Sequence, residues 1–370
     1  MYRITVNVFF IICSLFLIQP TGEGCSIFTL SHGSETVYGQ NLDWHRPLPG
    51  LVVVNRRGVE KTVLHWKGHW PAAGERECVS WISRYGSVTF TCYGRDFIEG
   101  GMNEVGLMVD EASLFGVYPQ DDGRPGVSCA QWMQYQLDNF AGVGEVLEHL
   151  NDLRPDGEGW HYLIADSSGA CAVIEYLSGE ALFYTGDSVD VCALTNTTYA
   201  QALSHVPMDR AFGGELDIAS GSDSYGRFVR LAALLRNYDP AHDGSAADYA
   251  FHMLKEVSVE DTRRSVVYDA GKKRVLWKTE KNPQVRWLDL GELDFSQDSS
   301  TKIVDVDADG VGNVKTQLQD YTLEANRAVV KAILGSGSLS TATGQELKSR
   351  GFTLEEVVEL ITRHPTKDIR

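Results

Sequence analysis

Positive charge is scarce in this chain: Lys and Arg total 33 against 50 Asp and Glu, a formal net charge of −17. Such a surface has little attraction for nucleic acid phosphates or anionic lipid, so neither is an expected partner. The 370 residues contain no CxxC pair and no Cys/His spacing of the zinc type, so nothing in the sequence calls for zinc, and no cofactor is expected. No repeat period is present, and no long linker precedes Ser296. The apolar run from Ile4 to Ile18 is too short and too poorly flanked for a membrane span.

That run has a different meaning. Arg3 precedes it, Pro20 breaks it, and the small residues Gly22 and Gly24 stand at positions −3 and −1 before Cys25. This is the pattern of a signal peptide, so residues 1–24 are expected to be removed and the protein to be secreted or periplasmic. Removal takes away Arg3 and Glu23, and 32 − 49 leaves the charge at −17. The remaining 346 residues suffice for one large domain or two ordinary ones.

Cleavage there would leave Cys25 with a thiol and a free α-amine. The amine titrates at about 7.7–8.0 and the thiol at about 8.5, so at neutral pH the amine can take the thiol proton, directly or through water. No separate histidine is then needed. The alternatives are a structural Cys25 or a lipid-bearing one, although a lipoprotein site wants a large aliphatic residue where Gly22 stands. Five further cysteines would remain, an odd number. Cys129, Cys171 and Cys192 lie in apolar surroundings and read as small core residues, while Cys78 and Cys92 can bridge a short excursion.

The first half reads as short strands, at 25–30, 36–43, 51–57, 87–93 and 105–113, with Ser31 to Ser34 as a turn between the first two. Helices at 129–140 and 143–153 follow, then strands at 160–166, 170–176, 181–185 and 191–196. Helices at 223–238 and 246–257 precede strands at 265–268, 274–279 and 285–290. Hairpin blocks separated by helix pairs predict an α+β fold with two stacked sheets between helical layers, a four-layer αββα sandwich. The domain layout is therefore a signal peptide at 1–24, a main domain at 25–318 and a helical extension at 319–370, broken at Gly335 to Gly344 and either docked or free.

Four segments put polar groups at strand ends or glycine turns, where sites are built. Cys25-Ser26-Ile27-Phe28 is the first, and Gly39-Gln40-Asn41-Leu42-Asp43-Trp44 the second. Asp43 lies 18 residues after Cys25, a spacing at which a hairpin brings both strand ends together. Its carboxylate could hold the α-amine and stabilise it when protonated, or simply cap a turn. The third segment, Gly100 to Leu107, reads as a glycine-rich turn entering the next strand. The fourth, Leu194-Thr195-Asn196, offers an amide donor suited to an oxyanion hole, or a turn residue, and begins a glycosylation sequon with Thr197 and Thr198. Arg227 lies in the first turns of an amphipathic helix, and taken alone it reads as a surface arginine.

An N-terminal Cys followed in order by GQNLDW, GGMNEVGL, LTN and SYGRFVR resembles the choloylglycine hydrolase and penicillin V acylase family. The likeness runs from Cys25 to about Leu290. It implies an N-terminal nucleophile hydrolase of the αββα fold that cleaves the linear amide C–N bond of an N-acylated small molecule through a thioester. It further implies Cys25 as nucleophile and base through its amine, Asp43 as the carboxylate contacting that amine, Asn196 as oxyanion donor and Arg227 as the residue completing the polar network. A second oxyanion donor falls near Ser113. Dimers and tetramers are common in that family, so a homo-oligomer is open. Where the family usually has Arg, this chain has Gln40, which supplies no charge to favour thiolate. An acyltransferase of the same superfamily and a non-enzymatic lipid-anchored binding protein are the competing readings. Trp44, Trp66 and Trp70 are candidates for an acyl pocket or for core. Asp305 to Gly310 resembles the start of a calcium loop, but Thr316 stands where an EF-hand needs Glu, and an acidic surface turn is the alternative.

Overall fold

In the computed structural model of the chain, residues 24–33, 35–63, 79–114, 124, 126–156, 159–335 and 353–363 are described. Residues 1–23, Trp66, Trp70 and Cys78 lie outside them. Two large sheets dominate. The seven-stranded sheet runs Ala193–Leu194, Ser26–His32, Glu35–Asp43, Thr262–Asp269, Arg274–Thr279, Arg286–Asp289 and Gly312–Asn313. The nine-stranded sheet runs Glu180–Thr185, Cys171–Leu177, Trp160–Ala165, Met108–Ser113, Gly100–Asn103, Ser87–Thr91, Leu51–Asn55, Lys302–Asp305 and Gln319–Asp320.

Alternation along the strands explains the layering. Met108, Ala112, Leu163, Ala165 and Val173 share an apolar cluster with Ile27 and Tyr38 of the other sheet, while Phe28 and Leu30 point the opposite way, to the helix side of that sheet. Val109, Tyr162, Ile164, Ala172 and Ile174 face a second cluster with Trp132, Met133 and Leu137 of helix Cys129–Asn139. With period-2 side-chain directions, such strands bury both faces, and each fully buried Val, Leu or Phe contributes about 1.5–3 kcal/mol. The Tyr38 hydroxyl donates to the Leu163 carbonyl (2.8 Å) and ties the two sheets directly. Helices Ser224–Asn237 and Ala246–Glu256 cover the outer face of the seven-stranded sheet, with Phe228, Leu231, Ala250 and Met253 buried against it. The expected αββα sandwich is the architecture found.

Several local expectations change. Gly100–Asn103 is a buried strand rather than a turn, and the chain reverses at Glu104 to Gly106. Asn103 fixes that reversal: its Oδ1 accepts the amides of Val105 and Leu107, and its Nδ2 donates to the carbonyls of Leu137 and Phe140. The sequence periodicity missed helix Tyr199–His205, which lies immediately after Asn196. Cys171 and Cys192 are not isolated core residues but form a disulfide. Cys92 is a free, buried thiol that donates to Glu99 Oε1 (2.7 Å) instead of bridging to Cys78.

The C-terminal helices Leu323–Gly335 and Leu354–Arg363 pack on one another and on the main body. Val330, Ile333, Val358 and Ile361 are buried, and Asn326 Oδ1 accepts the Arg95 amide (3.0 Å). Around 305–310 the acidic groups have local partners. Asp305 accepts the Asp307 amide and Asp307 pairs with Lys281 (2.8 Å), while the carbonyls of Val306 and Ala308 accept from Arg286. Among the described residues, no group of three or more His, Cys, Asp and Glu side chains is arranged to hold a metal. No helix among them is long and apolar enough to cross a membrane.

Candidate active site

Strand register assembles the site. Ser26 pairs with Asn41, so two steps further residue 24 stands opposite Asp43. On the other side Ile27 pairs with Leu194, which sets Cys25 opposite Asn196. Asp43 in turn pairs with Thr262. Three segments distant in sequence thus bring their polar ends to one end of the seven-stranded sheet.

Arg227 arrives from the adjoining helix. Asp223 caps that helix by accepting the Gly226 amide (2.8 Å). Gly226 permits close approach, because a Cβ there would come within 2.8 Å of the Gly221 backbone. One turn into the helix, the buried guanidinium faces Cys25. Its Nη1 donates to the carbonyls of Gly24 and Cys25 (2.8 Å to the latter) and to Ser26 Oγ (2.7 Å). Its Nη2 donates to Asn196 Oδ1 (2.9 Å) and its Nε to the Ser222 carbonyl (3.2 Å). Arg227 is therefore a central strut and not a surface residue.

The Asn196 orientation follows from its partners. Arg227 can only donate, so it faces Oδ1, and the Ser113 carbonyl can only accept, so it faces Nδ2 (3.0 Å). Nδ2 carries two hydrogens, and Ser113 takes one. Ser113 thus enters the site through its carbonyl, as an orienter of Asn196. Both polar ends of the Asn196 side chain are engaged, which leaves the sequon's acceptor tied into the network.

Burial governs the electrostatics. Cys25 is 4 % exposed and Asp43 1 %. Burial, then the negative charges of Glu111 and Asp43, push the Cys25 thiol well above its ordinary range, while the Asp43 amide and Arg227 pull it down. Burial raises the Asp43 carboxyl to about 7 against the opposing effects of Thr262 and Arg227. Thr262 Oγ1 donates to Asp43 Oδ1 (2.5 Å). Asp43 Oδ2 is buried and has no hydrogen-bond partner among the described residues. That oxygen faces position 24: a methyl placed on Gly24 would lie 3.4 Å from it and 3.1 Å from Arg227 Nη2. An orphaned carboxylate oxygen in a dry site is a ready-made seat for a cation.

Cys25, Asp43, Asn196 and Arg227 are therefore brought together, and Ser113 reaches the group by its backbone. Gln40 is buried on the same strand as Asp43, and its Nε2 has no hydrogen-bond partner among the described residues. Asn41, inside the same motif, is a fastener: it donates to the Leu254 carbonyl (2.7 Å) and accepts from Ser265 (2.8 Å). Thr262 and Glu111 were not singled out from the sequence. Thr262 belongs to a strand 219 residues away from Asp43, and nothing local to either residue marks it.

The model of linear amide C–N hydrolases, choloylglycine hydrolase family, matches residues 25–305. The penicillin V acylase of Pectobacterium atrosepticum is 27% identical over 263 residues, 59% of this chain and 69% of that protein. Among solved structures, penicillin V acylase from Agrobacterium tumefaciens is similar with a TM-score of 0.68 at 26% identity, covering 80% of this chain and 98% of that one. A point mutant of the conjugated bile acid hydrolase from Clostridium perfringens shares the fold, with a TM-score of 0.60 at 16% identity over 79% of this chain and 99% of the other.

Proposed function

Because the chain belongs to the choloylglycine hydrolase family of linear amide C–N hydrolases, we propose that it cleaves an N-acylated small molecule with Cys25 as nucleophile, after export and removal of residues 1–24. The observation that carries this reading is the buried, unpartnered Asp43 Oδ2 facing position 24. Once Gly24 has left, the α-ammonium of Cys25 fills that seat and the carboxylate gains its missing partner. The Cys171–Cys192 disulfide accords with export, since disulfides persist in oxidising compartments.

The chemistry then runs in two halves. The α-amine takes the thiol proton, and Sγ attacks the acyl carbonyl carbon, forming a C–S bond as the carbonyl oxygen becomes an oxyanion. Asn196 Nδ2 donates to that oxyanion, held by Arg227 and Ser113. Collapse breaks the C–N bond, the α-ammonium protonates the departing amine, and a thioester remains. Water attacks the thioester, its proton passes to the α-amine, and the carboxylic acid leaves as the thiol is restored. Gln40 brings no charge to thiolate formation, so Arg227 and the α-ammonium are the cations that favour it.

Intact mass of the protein exported from a secretion-competent host tests the nucleophile. The expected mass is that of a chain starting at unmodified Cys25. Penicillin V, the substrate named for two relatives, and a panel of N-acyl amino acids are the probes. Cys25→Ser is expected to abolish turnover and thioester trapping. Retained leader residues, added lipid or full activity of Cys25→Ser would refute the reading.

A further inference from the structure

Two titratable side chains buried beside the site take no part in the chemistry above. His161 lies in strand Trp160–Ala165 and Glu175 in the neighbouring strand Cys171–Leu177, both fully shielded from solvent. His161 Nδ1 is 3.0 Å from Glu175 Oε1, and Nε2 is 2.6 Å from the carbonyl oxygen of Thr195, the residue before Asn196. The same Glu175 oxygen accepts the backbone amide of Tyr199 (2.7 Å), three residues after Asn196. One buried acid therefore grips both flanks of the segment that carries Asn196, directly at Tyr199 and through an imidazole at Thr195.

The segment needs such a hold. Its strand pairing extends only over Ala193–Leu194, so the sheet releases the chain before Asn196. The Thr195 hydroxyl lies 2.9 Å from Ser224 Oγ at the start of the helix bearing Arg227, which fixes the side chain and leaves the backbone carbonyl to His161.

Counting protons shows what the pair must be. A carbonyl oxygen only accepts, so Nε2 carries a proton. A neutral imidazole has no second N–H, and two lone pairs facing each other at 3.0 Å in a dry interior would be repulsive. The Nδ1 to Oε1 contact thus holds a further proton, on the ring as an imidazolium or on Glu175 as a carboxylic acid donating to Nδ1. We infer that this protonated His161–Glu175 pair is the positioning device that fixes the Asn196 amide for the reaction. The inference rests on the reading of Asn196 as oxyanion donor.

A double-mutant cycle on the mature enzyme, with penicillin V hydrolysis as readout, separates the two. Asn196→Ala is expected to lower kcat by about 10²–10³. Glu175→Gln preserves shape but removes the acid; it is expected to lower kcat about tenfold or more with KM within about twofold, as misplacement of a catalytic group does. In the Asn196→Ala background, Glu175→Gln is expected to cost nothing further, because the pair acts through that one side chain. An equal fractional loss in both backgrounds overturns the inference and leaves the Asn196 reading standing. Full activity of Asn196→Ala overturns the oxyanion reading and the inference with it. Should Glu175→Gln fail to fold, ¹⁵N-histidine spectra of the unaltered enzyme decide: His161 is expected to show a slowly exchanging, one-bond-coupled proton at Nε2, and an unprotonated Nε2 overturns the inference.

Discussion

Asp43→Asn should change stability with opposite signs before and after leader removal. In the uncleaved chain the carboxyl is raised from its ordinary 3.8 to about 7, chiefly by burial. The folded chain therefore holds this proton up to about pH 7, whereas the unfolded chain gives it up near 3.8. Between those values the native state binds more protons, so stability falls as pH climbs through the window and stays reduced above it. At 1.36 kcal/mol for each tenfold change in proton affinity, the cost at pH 8 approaches about 4 kcal/mol at most. Asparagine keeps an acceptor for Thr262 but cannot ionise. In full-length protein made without export, Asp43→Asn is expected to raise the melting temperature at pH 8 by several degrees, on a scale of about 2–4 °C per kcal/mol, and to leave it nearly unchanged at pH 4. In the mature chain proposed above the α-ammonium would pair with the carboxylate, and the same substitution is expected to lower the melting temperature at pH 8 and to depress kcat. A shift of the same sign in both forms, or one independent of pH in the uncleaved chain, would refute the pairing.

Arg227→Lys retains the charge but cannot span the Cys25 carbonyl, the Ser26 hydroxyl and the Asn196 amide at once. It is expected to cost on the order of 3 kcal/mol in chemical denaturation, the scale of one or two lost charged hydrogen bonds, and to reduce kcat more than tenfold. A variant with unchanged kcat would show that Arg227 does not orient Asn196. The Cys171–Cys192 bridge closes a separation of 21 residues, for which chain entropy gives about 3 kcal/mol. Paired Cys171→Ser and Cys192→Ser substitutions should lower the denaturation midpoint accordingly, and a midpoint indifferent to both substitution and reductant would remove the bridge from the account of stability.

What the amino-acid order by itself determined was local and chemical. The apolar run, Pro20 and the glycines before Cys25 form a cleavage pattern, and a cysteine freed there would carry nucleophile and base on one residue; the ordered motifs, rather than that position alone, pointed to the family to which the chain belongs. Alternating apolar runs and helix periods fixed the sandwich, because side-chain direction follows backbone period. Asp43 was visible because a hairpin of known length returns its end to its start. Tertiary structure decided the rest. Arg227 reads as a surface residue by its helix pattern alone; the SYGRFVR motif marked it, and helix docking is what turns it onto Cys25 and Asn196. In the GGMNEVGL segment, Gly100–Asn103 is a buried strand, and Asn103 fastens the reversal at Glu104 to Gly106 to a helix end. Cys171 and Cys192 bond to each other because strand Cys171–Leu177 and the approach to Ala193 meet in space, and no spacing rule encodes that meeting. Thr262 and the His161–Glu175 pair touch the site only through long-range register, and a contact made by sheet pairing between distant segments leaves no mark on the residues around it in sequence.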